Sequence, residues 1–188
     1  MKNIYLIRHG KPDFPCGKRM CLGRTDLPLC KEGFSQARAA AEILKDKHFE
    51  VFSSPLLRAV QTAEAFSKPV TIIDDLQELY AGLWDGLSFE KIKLRYPELY
   101  AARGSDKSLP LPGAEGHAEG LARFYNAMIK AAELAENDLA VVAHGGIIGL
   151  FLEKISGEYF KPDYCQIVYL TYENNKFNLI GGTKTCEN

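Results

Sequence analysis

The sequence predicts an α/β fold, a three-layer α/β/α sandwich whose central, mostly parallel sheet carries an antiparallel edge strand. Three observations predict it. Short apolar runs at 4–7, 51–53, 70–73 and 139–143 read as buried strands, because a strand covered on both faces shows a continuous apolar run rather than alternation. Stretches with helical periodicity lie between and after these runs, and parallel strands need crossover helices of this kind. The end of the chain differs: 166–172, then Glu173-Asn174-Asn175, then 176–180 reads as a hairpin, which supplies the antiparallel strand.

In chain order, 32–44 is a helix opening near Gly33, with Phe34, Ala37, Ala41 and Leu44 expected on its inner face. The segment 55–66 is a second helix, with Ser54 as its expected N-cap and Pro55 at the first helical position. Residues 101–120, rich in Gly, Pro and Ser, read as an excursion loop over the sheet rather than a domain boundary. Leu121, Phe124 or Tyr125, Met128 and Ala132 then mark a long amphipathic helix ending before Asn137. The stretch 147–155 is apolar nearly all round, as suits a helix packed on the sheet. There is no internal repeat and no low-complexity linker, so one domain is expected over 1–188.

Composition narrows the function. Hydrophobic residues make up 46% of the 188, enough for a core, and 23 Lys plus Arg against 24 Asp plus Glu leave a net charge of −1. No global field therefore marks nucleic acid or an anionic membrane as a partner, and recognition of an anion must be local. No apolar run reaches the roughly 18 residues a membrane span needs. The amino terminus runs from one Lys through a short apolar stretch into Arg8 and His9, unlike a secretory leader, which reads as a mature cytoplasmic first strand. Five cysteines at 16, 21, 30, 165 and 186 show no regular spacing, and C-x4-C-x8-C lacks the tight C-x2-C knuckle. Neither disulfides nor a metal site are expected.

Three places share one construction: IYLIRHG, VFSSPLLR and LAVVAHGG each end an apolar strand in small or polar residues before a helix or loop. In a parallel sheet these carboxyl ends lie along one edge, where ligands bind. Arg8, His9, Arg58 and His144 would converge there. Arginine forks match phosphate oxygens and helix amino termini add backbone N–H groups, so the expected ligand is a phosphate group. Neither a P-loop nor a G-x-G-x-x-G occurs, so the phosphate is not held as part of ATP or NAD by those devices. His9 can be the nucleophile, since imidazole is largely neutral near pH 7 and the arginines would offset the charge that opposes attack on a phosphate monoester. A leaving alkoxide needs a proton. Glu78, between the strand-like 70–74 and the Gly82–Gly86 turn, is the foremost candidate, ahead of Asp85, Asp13 and Asp26.

The chain resembles the histidine phosphatase superfamily, which also contains the cofactor-dependent phosphoglycerate mutases, and is closest in style to the alpha-ribazole and broad-specificity phosphatases. The resemblance rests on Arg8-His9-Gly10, GRTDLPL from Gly23, SSPLLRAVQTA from Ser53, ELYAGLWDG from Glu78 and AHGG from Ala143, in that order along 4–150. It implies that His9 becomes a phosphohistidine, that Arg8, Arg58 and His144 hold the phosphoryl group, and that Glu78 is the proton donor and later the base. It puts Gly10, Gly23, Arg24 and Gly145 at the substrate, although Arg24 could instead pair with Asp26. The implied activity is hydrolysis of small-molecule phosphate esters without cofactor or metal. Departures are Lys11 where Glu often follows the RHG, Pro15 where a phosphate-binding Asn would stand, Cys30 for Ser or Thr, and Asp85 for Glu. Only about 30 residues separate Gly86 from Gly116, a short insertion that favours hydrolysis over a mutase reaction needing an enclosing lid. Two rivals stay open, a phosphoglycerate-type phosphotransferase and a non-catalytic phospholigand-binding module. His48 and His117 lie in no motif, and oligomeric state is not legible.

Overall fold

The computed structural model describes residues 1–106 and 109–182. Its strands are β1 (Lys2–Arg8), β2 (Phe49–Ser53), β3 (Val70–Ile72), β4 (Asp138–Ala143), β5 (Ile167–Glu173) and β6 (Lys176–Gly182). Its helices are α1 (Lys31–Ile43), α2 (Leu57–Glu64), α3 (Phe89–Arg95), α4 (Pro97–Ser105), α5 (His117–Leu134) and α6 (Gly145–Ser156). The strands form one sheet in the order β3-β2-β4-β1-β5-β6. The first four are mutually parallel, while β5 runs antiparallel to β1 and β6 antiparallel to β5. The expected hairpin is therefore present, with its antiparallel partner one position in from the edge.

Strand alternation sorts the core into two layers. Ile4 and Leu6 of β1 join Leu139, Val141, α5 and α6 on one face, and Tyr5 and Ile7 join Ala140, Val142, α1 and α2 on the other. Both faces are thus covered, which is why these strands read as unbroken apolar runs. No helix among the described residues is long and apolar enough to cross a membrane.

Several local expectations need correction. The buried face of α1 is Gly33, Ala37 and Ala40, continued by Leu44, whereas Phe34 is exposed. Small residues let α1 approach the sheet closely, and a Phe would hold it off. Ser54 does not cap α2, which starts at Leu57 with Leu56 at the N-cap position. The free N–H of Leu57 is met instead from a distant loop, by Asp26 Oδ1 at 2.7 Å. The excursion is not all loop: its first part belongs to α4, and α5 already begins at His117. Positions 107 and 108 of that segment, and Cys186, lie outside the described residues.

A third cluster, separate from the two sheet layers, is built from Trp84, Ile92 and Leu111 with Cys21, Phe89, Tyr96, Leu99 and Tyr100 around them. The loop that follows β1 pairs with it, Cys21 N donating to Leu87 O and Gly86 N to Cys21 O, both at 2.9 Å. This cluster forms the wall over the carboxyl end of the sheet.

Candidate active site

Three adjacent strands deliver three residues to one line. Ser54 follows β2, His144 follows β4 and His9 follows β1, and the order β2-β4-β1 sets them side by side. The N–H of His9 donates to Ala143 O at 2.9 Å and that of Ser54 to Val142 O at 3.0 Å, extending the parallel ladders one step past the strands. The imidazoles of His9 and His144 then stand with ring centroids 5.0 Å apart, both buried.

The orientation of His9 is fixed by its neighbour. Its Nδ1 lies 2.7 Å from Gly10 O, and a carbonyl can only accept, so the proton is on Nδ1 and the lone pair on Nε2. Burial, then the charges of Arg58 and Arg8, hold the ring well below the usual imidazole value. His9 is therefore a neutral imidazole with Nε2 available. His144 is lowered in the same way by burial, then by Arg58 and His9. Its Nε2 lies 2.7 Å from Ser54 Oγ. When the Ser54 hydroxyl donates, the imidazole proton sits on Nδ1, an atom that is buried and meets no other partner.

The two arginines are held by carbonyls. Arg58 is 1% exposed and donates through Nη1 to Thr25 O at 2.9 Å and through Nη2 to Gly23 O at 2.8 Å. Arg8 donates through Nη1 to Pro162 O at 2.8 Å and stacks 3.9 Å over the ring of Tyr164. In both, Nε is buried and without a hydrogen-bond partner. Two buried N–H donors, Arg8 Nε and Arg58 Nε, and the ring nitrogen His144 Nδ1 thus stand without partners on residues grouped around His9, while Trp84 Nε1 does so in the third cluster. Buried polar groups are normally satisfied, so this grouping has the chemistry to receive an anion.

Glu78 closes the other side. Its Oε2 accepts from Gly146 N at 2.8 Å and its Oε1 from Ile147 N at 2.8 Å and Leu79 N at 3.0 Å, seating the carboxylate on the amino terminus of α6. A β-carbon on Gly146 would lie 2.9 Å from Glu78 Oε1, so only glycine permits that approach. A cleft of about 160 Å³ is lined by Arg8, His9, Glu78 and Gly145, with Phe14, Met20 and Phe89 among its walls.

The remaining expected site residues are engaged in the framework. Gly10 N donates to Thr62 Oγ1 at 2.9 Å, and the Thr62 hydroxyl donates to Arg58 O at 2.7 Å. Gly23 contributes its carbonyl to Arg58. Arg24 pairs at 3.4 Å with Glu115 rather than with Asp26. Glu115 is in turn held by Arg123 through two 2.8 Å contacts. Asp85 accepts from the N–H groups of Gly23, Arg24 and Thr25 at 3.1, 2.7 and 3.1 Å, and so sets the carbonyls that hold Arg58. Cys30 Sγ accepts from Gly33 N at the start of α1, while burial, then Asp85, raises the Cys21 thiol to about 11.

Sequence reasoning gave Thr62, Arg19, Lys161 and Tyr164 no role, read Ser54 as a helix cap, and took Asp85 as a weaker proton-donor candidate rather than as the anchor of the 23–25 turn. Ser54 and Thr62 lie in a motif that was quoted without assigning them partners. Lys161 and Tyr164 had no local signal, since they reach the cleft from the loop between α6 and β5.

Comparisons with known proteins bear on the family and the fold. The family model described as the histidine phosphatase superfamily, branch 1, matches residues 4–182. The chain is 32% identical over 164 residues to the uncharacterized phosphatase PhoE of Bacillus subtilis, covering 84% of this chain and 79% of that protein. It is 32% identical over 163 residues to the 6-phosphofructo-2-kinase/fructose-2,6-bisphosphatase of Gallus gallus, covering 82% of this chain and only 34% of that relative. The chain therefore spans about a third of that relative's length. Among solved structures, the alpha-ribazole phosphatase of Shigella flexneri superposes with a TM-score of 0.81 at 24% identity, covering 95% of each chain, which supports the fold.

Proposed function

The chain belongs to branch 1 of the histidine phosphatase superfamily, and on that premise we propose that it hydrolyses small-molecule phosphate monoesters through a phosphohistidine on His9. The observation that carries this reading is the Nδ1–H to Gly10 O bond, which leaves Nε2 as a neutral nucleophile beside the unsatisfied Nε donors of Arg8 and Arg58. Nε2 attacks phosphorus, the P–O bond to the alcohol breaks, and Arg8, Arg58 and His144 neutralise the equatorial oxygens. Water then attacks the phosphohistidine, releasing inorganic phosphate and restoring His9.

Glu78 is assigned the proton transfers. Three backbone N–H donors, from Gly146, Ile147 and Leu79, hold its carboxyl group in place beside the cleft. The proton passed to the leaving oxygen arrives with the ester monoanion, whose last proton has a pKa of about 6. Glu78 takes that proton, hands it to the alkoxide, later accepts one from the attacking water and passes it to the departing phosphate. No metal enters these steps. A cytoplasmic setting goes with this reading, supported by unpaired thiols at Cys16, Cys21, Cys30 and Cys165.

The test is phosphate release from sugar phosphates, phosphoglycerates, nucleoside monophosphates and alpha-ribazole phosphate, with EDTA and with His9→Ala as controls. Release that survives EDTA, needs no bisphosphate primer and vanishes in His9→Ala is the expected result. Phosphate transfer that requires a primer would favour the phosphotransferase. Binding without release, and no acid-labile label on His9, would reduce the chain to a binding module.

A further inference from the structure

Two cations at the cleft are left over once a phosphoryl group is provided for. Arg19 and Lys161 line the cleft beside Arg8 and His9, and both also line a second bay of about 420 Å³ walled by Phe14 and Tyr164. Cleft and bay share Arg8, Phe14, Arg19, Lys161 and Tyr164 in their walls, so the two adjoin along these residues. The Lys161 stem crosses the amino terminus of α6 so closely that a β-carbon on Gly145 would lie 2.7 Å from its Cε and 2.9 Å from Arg8 Nε. Its ammonium is lowered from the usual lysine value by desolvation, then by Arg8, with Arg19 acting in the same direction.

The nearby acids do not balance this charge. Glu78 is held by backbone N–H groups, and Glu32 pairs with Lys11 at 2.5 Å. Asp163 is the carboxylate that remains on the wall of the bay. Neither Arg19 nor Lys161 forms an ion pair within 4.0 Å among the described residues. Arg8, Lys11, Arg19 and Lys161 all line the bay, and with Lys11 paired to Glu32 the other three repel one another against the single carboxylate of Asp163, in a chain whose net charge is −1. A bound anion would offset that repulsion. In the proposed reaction the transferring phosphoryl group is provided for by Arg8, Arg58 and His144, which leaves Arg19 and Lys161 for a second anion.

We propose that Arg19 and Lys161 form a second anion subsite, and that the favoured substrates are phosphate monoesters whose alcohol carries a second anionic group, a carboxylate or a phosphate. The proposal rests on His9 as the nucleophile, which fixes where the ester end lies. Arg19 offers a planar fork and Lys161 a point charge, and the aromatic walls lower the local dielectric so that both count for more than on an open surface.

Matched ester pairs test it: glycerol 3-phosphate against 3-phosphoglycerate, and fructose 6-phosphate against fructose 1,6-bisphosphate, with phosphate release as the readout. The second member of at least one pair is expected to have a kcat/KM at least about tenfold higher, mostly through KM, the pair showing which anion is taken. Arg19→Ala and Lys161→Ala should each reduce that ratio several-fold, Lys161→Arg should keep most of it, and added KCl should shrink it. Equal or lower rates on the charged members of both pairs, or a ratio untouched by the alanine variants, would overturn the subsite and leave the phosphatase reading standing. No release from any ester, with no label on His9, would remove both.

Discussion

His9 and His144 are neutral for a reason that also ties stability to pH. Both are held well below the usual imidazole value, by burial first and then by Arg58. In the unfolded chain each would bind a proton near pH 6.5. Below that pH the unfolded state holds protons that the native state refuses, so stability is full above about pH 6.5 and falls as the pH drops toward the depressed native values, by up to about 1.4 kcal/mol per unit for each ring. Thermal melts from pH 8 to pH 5 should show this slope. His144→Gln should flatten it, and a slope unchanged by that variant would place the acid sensitivity elsewhere. Bound phosphate puts negative charge beside both rings and raises them, so it should stabilise more at pH 5.5 than at pH 8. Glu78 makes a kinetic prediction at the same scale: Glu78→Gln should slow alkyl phosphates far more than activated aryl phosphates, because only poor leaving groups need the proton. Equal losses on both would remove its acid role. These residues were legible in the sequence because each ends or follows an apolar strand. Ser54 was read as a helix cap, because a Ser-Pro pair before a helical pattern gives no sign that its hydroxyl faces a histidine 90 positions away.

At the level of elements, the amino terminus of α6 and the 23–25 turn hold the charged groups in place. Gly146→Ala would put a methyl 2.9 Å from Glu78 Oε1 and push the carboxylate off its N–H donors. It should lower kcat on alkyl esters by about tenfold or more with far-UV circular dichroism retained, which a simple folding defect would not do. Asp85 acts through Arg58. Removing its carboxylate strips three N–H groups of their acceptor and loosens the Gly23 and Thr25 carbonyls that anchor the guanidinium. Asp85→Ala should therefore weaken inhibition by inorganic phosphate several-fold, with Asp85→Asn in between. Unchanged inhibition in the alanine variant would separate the turn from Arg58. The element pattern was legible where strands and helices bury an apolar face, as in β1 or α5. It was not legible in α4, which fully buries none of its residues and, of its apolar ones, only half-buries Leu99 and Tyr100, too little for a periodic signal. Its Gly, Ser and Pro neighbours then read as loop.

On the scale of the whole molecule, the sheet has two cores of its own and the cleft wall has a third. The Trp84, Ile92 and Leu111 cluster is small and is fed by α3, α4 and the loop after β1, none of which joins the sheet. The fold class and the edge of the sheet carrying the chemistry follow from local patterns, but this cluster gathers residues from 21 to 114 whose contacts no local period encodes. A cluster with few buried apolar groups opens at lower free energy than the sheet it covers. Trp84 is the chain's single tryptophan and is 5% exposed, so its emission reports on the wall while far-UV circular dichroism reports mostly on the sheet and its helices. Ile92, fully buried in the cluster, gives the means to separate them, since truncating a buried isoleucine costs about 2–5 kcal/mol locally. In Ile92→Ala the tryptophan transition in urea should move to lower denaturant and run ahead of the circular-dichroism transition. Phosphate should affect it less than it affects the sheet, because none of Arg8, His9, Arg58 and His144 belongs to the cluster. If the two transitions shift together, the wall and sheet unfold as one unit, and substrate entry would then have to proceed through the open mouth of the cleft without movement of the wall.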